Sequence, residues 1–351
     1  VAYGFLCGRD YQTNKMIPKK NTYNLLKIRN KAIQKPEKTI IKHNFTIGIP
    51  HALHLFEDYE LWACFFSRLG IKVITSSELK APVKLGKIVA NAEFCAPVVA
   101  LHGHIQYLMD KADYIFLPFY FEEKPGGKDR RRQHCYYTQF APSIISCLSD
   151  FDKKRIISPI TKYLYTNFHT KLELYKSLKK ISADFLFSFF DISAAYDSAL
   201  KFKENCQSNW KALYPQYKSK GSDINVILLG RPYTVLTKTM NNNIPQLFEN
   251  LGVKTFFQDM LDFETRDFSQ IDPLLKEIHW KYVAQILQAA YIVATSDHLY
   301  PVYISSFKCA PDSFGIDYFK QIMETYNKPY LVLELDEHDS SVGYETRVEA
   351  A

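Results

Sequence analysis

Asn225-Val226-Ile227-Leu228-Leu229-Gly230-Arg231-Pro232 decides the fold, because it repeats the design of an earlier segment, Phe45-Thr46-Ile47-Gly48-Ile49-Pro50. Each is a short apolar run punctuated by Gly and Pro, the signature of a buried strand. Each leads into helical apolar spacing, Leu55 to Leu69 in the first copy and up to Leu251 in the second. Each helix then stops at a glycine before a further strand, Gly70-Ile71-Lys72-Val73-Ile74-Thr75 and Gly252-Val253-Lys254-Thr255-Phe256. Gly48 and Gly230, Pro50 and Pro232, and Gly70 and Gly252 are all 182 positions apart. One spacing shared by several landmarks predicts two similar lobes. Third strands are expected at Ala112-Asp113-Tyr114-Ile115-Phe116 and Ala290-Tyr291-Ile292-Val293-Ala294.

The expected fold is therefore α/β, two similar Rossmann/flavodoxin-like parallel-sheet lobes with a cleft between them. The lobes are placed at 45–160 and 223–351, joined by a helical connector at 161–222. Residues 1–44 are rich in Lys and Asn and read as a linker or arm with one short helix. Thr161 to Tyr217 has helical spacing and many aromatics, most densely from Phe185 to Phe190, which are expected to pack as core.

A chain of 351 residues, 47% apolar and 15% aromatic, can build real cores in two lobes. No apolar run reaches the roughly 20 residues of a membrane helix, so no membrane partner is expected. Val1-Ala2-Tyr3-Gly4-Phe5-Leu6-Cys7-Gly8-Arg9 has no charged leader before an apolar stretch and reads as the start of a fragment. The net charge of +7 comes from scattered lysines before residue 45 and from Lys128-Asp129-Arg130-Arg131-Arg132, a solvated face and loop. No basic stripe is interleaved with a reading motif, so no nucleic-acid partner is expected. Seven cysteines without a secretory leader argue against a disulfide framework and for a reducing, cytoplasmic setting.

In parallel α/β sheets ligands bind beyond the carboxyl ends of the strands, and the cysteines sort by that rule. Cys64, Cys147 and Cys206 fall within helical stretches and read as packing thiols. Cys95, Cys135 and Cys309 lie in loops or at helix starts. Cys95-Ala96-Pro97 opens a helix running to Met109, and the positive end of that helix favours the thiolate. Cys309-Ala310-Pro311 repeats the tripeptide before a helix expected at Phe314 to Tyr326, with Asp312 or Ser313 as its cap. Cys135 follows a Gly-rich charged loop and precedes a helix near Pro142. Soft thiolates suit iron–sulfur clusters or zinc, and the close Cys-x-x-Cys pairs of compact zinc sites are missing here. Three unrelated helix-start cysteines would give the same pattern.

Several segments resemble the 2-hydroxyacyl-CoA dehydratase superfamily, specifically the dehydratase-like portion of the large acyl-CoA dehydratase activase-related (CoA enzyme activase) proteins. They are Gly48-Ile49-Pro50, Ala92-Glu93-Phe94-Cys95-Ala96-Pro97, Leu101-His102-Gly103-His104-Ile105, Gly230-Arg231-Pro232-Tyr233 with Asn243-Ile244-Pro245, Ser306-Phe307-Lys308-Cys309-Ala310-Pro311-Asp312-Ser313 and Glu334-Leu335-Asp336-Glu337-His338. Together they span about Thr46 to Ala351. The resemblance implies that Cys95, Cys135 and Cys309 donate thiolates to a [4Fe-4S] cluster, with one iron open or bridged to a second cubane as in the similar double-cubane cluster proteins. It implies an anaerobic redox module that takes low-potential electrons from an ATP-dependent activator, fused upstream or separate, to reduce or dehydrate a small or acyl-CoA-type substrate. The chain has no Gly-x-x-x-x-Gly-Lys-Ser/Thr loop and is not expected to be that activator. Cys7-Gly8-Arg9-Asp10 looks like the tail of a family cysteine motif. Cys135 departs from the pattern, being followed by Tyr136-Tyr137 where many relatives have proline.

His338, after the apolar strand Pro329 to Leu333, is a candidate proton donor, with a capping role for Asp336 and Ser340 as the alternative reading of that run; His104 is a candidate catalytic residue lining the cleft, with helix packing as its alternative. His102 and His104 are two apart and so cannot both face one metal; Glu93 either orients the Cys95 loop or pairs with a lysine. The competing reading is a non-catalytic two-lobed scaffold that binds a ligand or zinc. Either reading is compatible with a homodimer.

Overall fold

The computed structural model describes residues 24–33, 40–124, 131–148, 152–163, 166–181, 187–219, 224–336 and 341–350. Cys7, His338 and the basic run as far as Arg130 lie outside the described residues. The first helix, α1 (Leu25–Lys31), is capped by Asn24, whose side chain accepts from the Lys27 N–H. It is docked on the second lobe: Leu25 joins that lobe's apolar core, and Arg29 bonds Asp259. The arm expected at 1–44 is thus tied down at this helix.

The first lobe contains β1 (Thr46–Ile49), α2 (Leu53–Glu57), α3 (Tyr59–Arg68), β2 (Lys72–Thr75), α4 (Pro82–Val89), α5 (Ala96–Met109), β3 (Tyr114–Phe116), β4 (Phe119–Tyr120), α6 (Tyr136–Gln139), α7 (Ala141–Ser146), β5 (Ile156–Ile157) and β6 (Ile160–Lys162). The connector is α8 (Asn167–Lys179) and α9 (Phe189–Tyr217). The second lobe follows with β7 (Asn225–Gly230), α10 (Pro232–Val235), α11 (Ile244–Asn250), β8 (Lys254–Phe257), α12 (Asp272–Glu277), α13 (Lys281–Ala294), β9 (Leu299–Ser306), α14 (Ala310–Thr325), β10 (Leu331–Leu335) and α15 (Ser341–Ala350).

Both lobes carry a four-stranded parallel sheet, ordered β2-β1-β3-β5 in the first and β8-β7-β9-β10 in the second. Renumbered within each lobe this is the same 2-1-3-4 order, the flavodoxin-like wind, which places a switch point between the first and third strands of each sheet. The fold is α/β with two similar parallel sheets. The internal repeat extends to the turns. Gly70 and Gly252 have φ of 73° and 78°, and in both the next residue's N–H reaches back to a helical carbonyl, Ile71 to Phe66 and Val253 to Phe248, each at 3.0 Å. Both are left-handed helix stops that a side chain would strain.

One strand expectation is overturned. Ala290 to Ala294 is not a strand but the last turns of α13, and the third strand of that lobe is β9. The helix is buried on nearly all sides, so its apolar run lacks the polar face that would have given away its period. The expected single helices after β1 and β7 are each broken, at Asp58 and between Val235 and Ile244.

The connector packs on both lobes. Tyr196 of α9 lies 6.1 Å from Trp62 of α3, and Tyr214 meets Phe256 of β8 edge-on at 5.1 Å. Ser188 and Asp191 form a reciprocal capping box at its start. The aromatic run is not all core, because Phe190 is exposed on the first turn of α9.

In the first lobe α4 and α5 cross at backbone contact. A Cβ on Gly86 would fall 1.8 Å from the Val99 carbonyl oxygen, and one on Gly103 2.0 Å from that of Pro82. Only glycine fits at this crossing, and the crossing holds the helix whose first residue follows Cys95. Gly86→Ala is expected to force α4 off α5 and destabilise the protein by about 1–3 kcal/mol, read as a lower urea midpoint at unchanged slope.

Candidate functional site

Cys95, Cys135 and Cys309 are the N-cap residues of α5, α6 and α14, all with extended backbone, and none uses its side chain as a cap. The reason is local. A Pro in the first turn of α5 and α14 fixes where those helices begin, and the thiol before it is left at the positive end of the helix. Cys309 lies three residues beyond the end of β9, at the carboxyl edge of the second sheet.

The three cysteines share a common electrostatic environment. Cys95 is influenced by Cys135, Arg231 and Asp312, and Cys309 by Arg231, Asp312 and Cys95. Arg231 in turn is influenced by Cys309 and Cys135. The two-lobed fold therefore brings together residues that lie far apart in sequence. Among the described residues, no three His, Cys, Asp or Glu side chains are gathered tightly enough for a single metal ion.

Arg231 is the centre of the site, and sequence reasoning had assigned it no role. It follows β7 directly and is buried together with Asp312, its Nε donating to Oδ1 at 2.8 Å. Its Nη1 donates to the Tyr233 hydroxyl at 3.0 Å. Its Nη2 is buried with no partner among the described residues, as is the nearby Tyr303 hydroxyl. Neither Asp312 nor Ser313 is the cap expected there; Cys309 holds the cap position, and Asp312 turns inward to neutralise a buried cation.

Burial outweighs the helix termini at Cys95 and Cys309. It pushes Cys95 up to about 11, opposed by the Val98 backbone N–H and by Arg231. Cys309 is pushed up further by burial, again opposed by Arg231. The thiolate expected at Cys95 therefore requires a bound cation or cluster to displace the proton.

The remaining candidates fall around this centre. Glu93 pairs with Lys308 at 3.1 Å, linking the loop before Cys95 to the residue before Cys309, but both side chains are exposed and the pair is weak. His102 bonds the Val98 carbonyl at 2.8 Å and stacks on Phe94. His104 is buried, bonds the Ser76 hydroxyl at 2.8 Å, and is held down to about 3 by desolvation. Its titratable neighbour is His51 rather than any of the three cysteines. Cys64 and Cys206 are buried as expected; Cys147 is not a packing thiol but lies exposed at the end of α7.

Beside the site the lobes are joined by a buried ionic network. Lys281 of α13 donates to Glu57 at 2.7 Å and Glu123 at 2.9 Å, both on the first lobe, and the Tyr282 hydroxyl also donates to Glu57 at 2.9 Å. Lys162 bridges Glu123 and Asp58, and Lys203 of α9 also bonds Asp58. The lysines hold the Asp58 and Glu123 carboxyls well below the usual range despite their burial. Tyr282 links network to site, because its ring lies 5.5 Å from the Arg231 guanidinium. Isolated charged residues scattered from 57 to 281 carry no local motif, so no sequence signal could have found this network.

The fold and site define a two-lobed α/β protein in which three helix-start cysteines lie in the electrostatic surroundings of one buried arginine. The sequence profile of the CoA enzyme activase uncharacterised domain (DUF2229) matches residues 46–261, and the chain belongs to that family. The match takes in Cys95, Cys135 and Arg231, and ends before Cys309. No curated protein is found similar to the chain. No described helix is long and apolar enough to cross a membrane.

The buried histidines make stability pH-dependent. His54 and His104 are each held down to about 3, chiefly by desolvation, against an ordinary value of 6.5. Above 6.5 both states are neutral and the full stability is present; as pH falls, the unfolded chain takes up protons that the folded one refuses. Stability is expected to fall between pH 6.5 and about 4 by up to roughly 1.4 kcal/mol per pH unit for each histidine. Below that range the depressed carboxylates of the network add to the loss. Urea unfolding followed at half-unit pH steps checks this; a flat profile from 6.5 to 4.5 would contradict it.

Proposed function

We propose that this chain is an iron–sulfur redox module in which Cys95, Cys135 and Cys309 hold a [4Fe-4S] cluster. The observation that carries the reading is the convergence of three uncapped helix-start thiols on a buried arginine with a free Nη2. An anionic group among the thiols would satisfy that donor. The gathering is looser than a mononuclear centre requires, and the thiolates of a cubane bind different irons. When bound, such a cluster supplies one-electron chemistry at low potential.

The chain's own residues would set the conditions for that chemistry. Arg231, neutralised by Asp312 and held by Tyr233, would offer its Nη2 hydrogen-bond donor to the cluster's thiolates, which favours the reduced, more negative state and raises the potential. Tyr233 and Tyr282 pack into the core of the first lobe and exclude water from one side. The Lys281 network holds the lobes at the separation that the three thiols need. Family membership points to an ATP-dependent activator, fused or separate, as the electron source. The substrate would be a small or acyl-CoA-type molecule that meets the electron in the cleft, to be reduced or dehydrated there.

Anaerobic reconstitution with iron and sulfide tests this. A broad visible band and about four irons per chain are expected, lost in Cys95→Ser and Cys309→Ser and retained in Cys147→Ser, whose thiol is exposed outside the site. Arg231→Lys is expected to retain iron with a shifted potential. No iron uptake, or a band unchanged in the Cys95→Ser/Cys309→Ser double variant, would overturn the proposal.

A further inference from the structure

Cys135 is held unlike the other two thiols. Cys95 starts α5, fourteen residues long and pressed against α4 at Gly103, and Cys309 starts α14, sixteen residues long. Cys135 starts α6, which is four residues long and leaves Tyr136 and Tyr137 exposed. A single helical turn fixes little by itself. The chain that leads into it, Arg131 to His134, has to do the placing.

That chain is a strap bonded to both lobes. On one side it pairs with the stretch after β4: the Glu123 N–H donates to the Arg132 carbonyl at 2.9 Å, and the His134 N–H to the Phe121 carbonyl at 3.0 Å. This stretch is tied in turn to the end of β6, where the Phe121 and Glu122 N–H groups both reach the Lys162 carbonyl at 3.0 Å. On the other side the strap pairs with the second lobe. The Gln133 N–H donates to the His279 carbonyl at 2.7 Å, and the Gln133 carbonyl accepts from the Lys281 N–H at 2.8 Å. Gln133 bridges Glu122 in one direction and Trp280 in the other, and so carries backbone pairing from one lobe to the next.

Arg132 fastens the second-lobe side. Its Nη1 donates to the Ile278 carbonyl at 3.1 Å and lies 3.4 Å from the Leu275 carbonyl, besides reaching the Arg131 carbonyl at 2.7 Å. Leu275 belongs to the last turn of α12 and Ile278 is its C-cap. Carbonyls at a helix end have no intrahelical donor, and they form the negative pole of the helix. A guanidinium suits them on both counts. The basic run read from the sequence as a solvated face therefore ends in a residue that is half-buried and bonded across the lobes.

The strap passes its position on to the thiol. His134 is buried, and its carbonyl accepts from Gln139 Nε2 at 2.7 Å, which closes α6 onto the strap. Cys135 Sγ then lies 3.3 Å from the Thr138 hydroxyl of the same turn.

We propose that Arg132 is a positioning residue for Cys135: by fastening the strap to the end of α12, it holds this first-lobe thiol in place beside Arg231 of the second lobe. That Cys135 then binds iron rests on the cluster reading, whereas its placement does not.

Timed alkylation of the whole, iron-free protein with iodoacetamide, followed cysteine by cysteine by mass spectrometry, tests the placement alone. Arg132→Ala is expected to speed modification of Cys135 roughly three- to tenfold, the loosening that loss of one net hydrogen bond allows, with Cys95 and Cys309 changed less than about twofold. Arg132→Lys keeps a cationic donor and should recover most of the protection. The Gln133 and Lys281 amides should exchange faster in Arg132→Ala while those of β7 do not. The proposal is overturned if Cys135 reacts at the wild-type rate in Arg132→Ala, if Arg132→Lys protects it no better than alanine, or if all three thiols accelerate together, which would mark Arg132 as a general stabiliser. Because the protein tested holds no iron, this result stands or falls separately from the cluster.

Discussion

The cleft depends on one buried cation. Lys281 reaches from the second lobe to two carboxylates of the first, and no other described contact fixes the lobes through a comparably buried charge. Burying a lysine is costly unless its charge is matched, and here Glu57 and Glu123 match it with short bonds while Tyr282 takes a further lone pair of Glu57. The arrangement is therefore more valuable as a device for register than as a source of net stability. It holds if the lobes meet in one orientation, and that orientation carries Cys95 and Cys135 to Cys309.

A second buried pair, Arg231 with Asp312, repeats this logic inside the site. Both residues belong to the second lobe, yet the guanidinium faces thiols from both. The pair leaves one guanidinium nitrogen, Nη2, without a partner among the described residues and already fixed in place. The same strand-to-helix turn lines a cavity of about 1090 Å³ with Gly230, Pro232 and Val235. Pro232 starts a helix only four residues long, of which Tyr233, Thr234 and Val235 are buried.

Much of the fold was legible because it is written in periodic and punctuating residues. The recurrence of Gly48, Pro50 and Gly70 as Gly230, Pro232 and Gly252 foretold two copies of one βα unit, and both lobes share one strand order. The error at Ala290 to Ala294 has a plain cause. A helix buried all round and a buried strand are both unbroken apolar runs, and only the neighbours tell them apart. Phe190 misled for the opposite reason, since an aromatic residue in a dense cluster can still stand on the exposed face of a helix's first turn.

The sequence by itself determined the two-lobed α/β plan, the helix-start placement of Cys95 and Cys309, and membership of the CoA enzyme activase-related family. These rest on local rules, the period of apolar residues and the fixed dihedral of proline, which act within a few residues. Only the tertiary structure decided that Arg231 and Asp312 lie near the thiols and that Lys281 joins the lobes. Those features are Coulombic and steric relations between residues tens to hundreds of positions apart, and no local pattern encodes them.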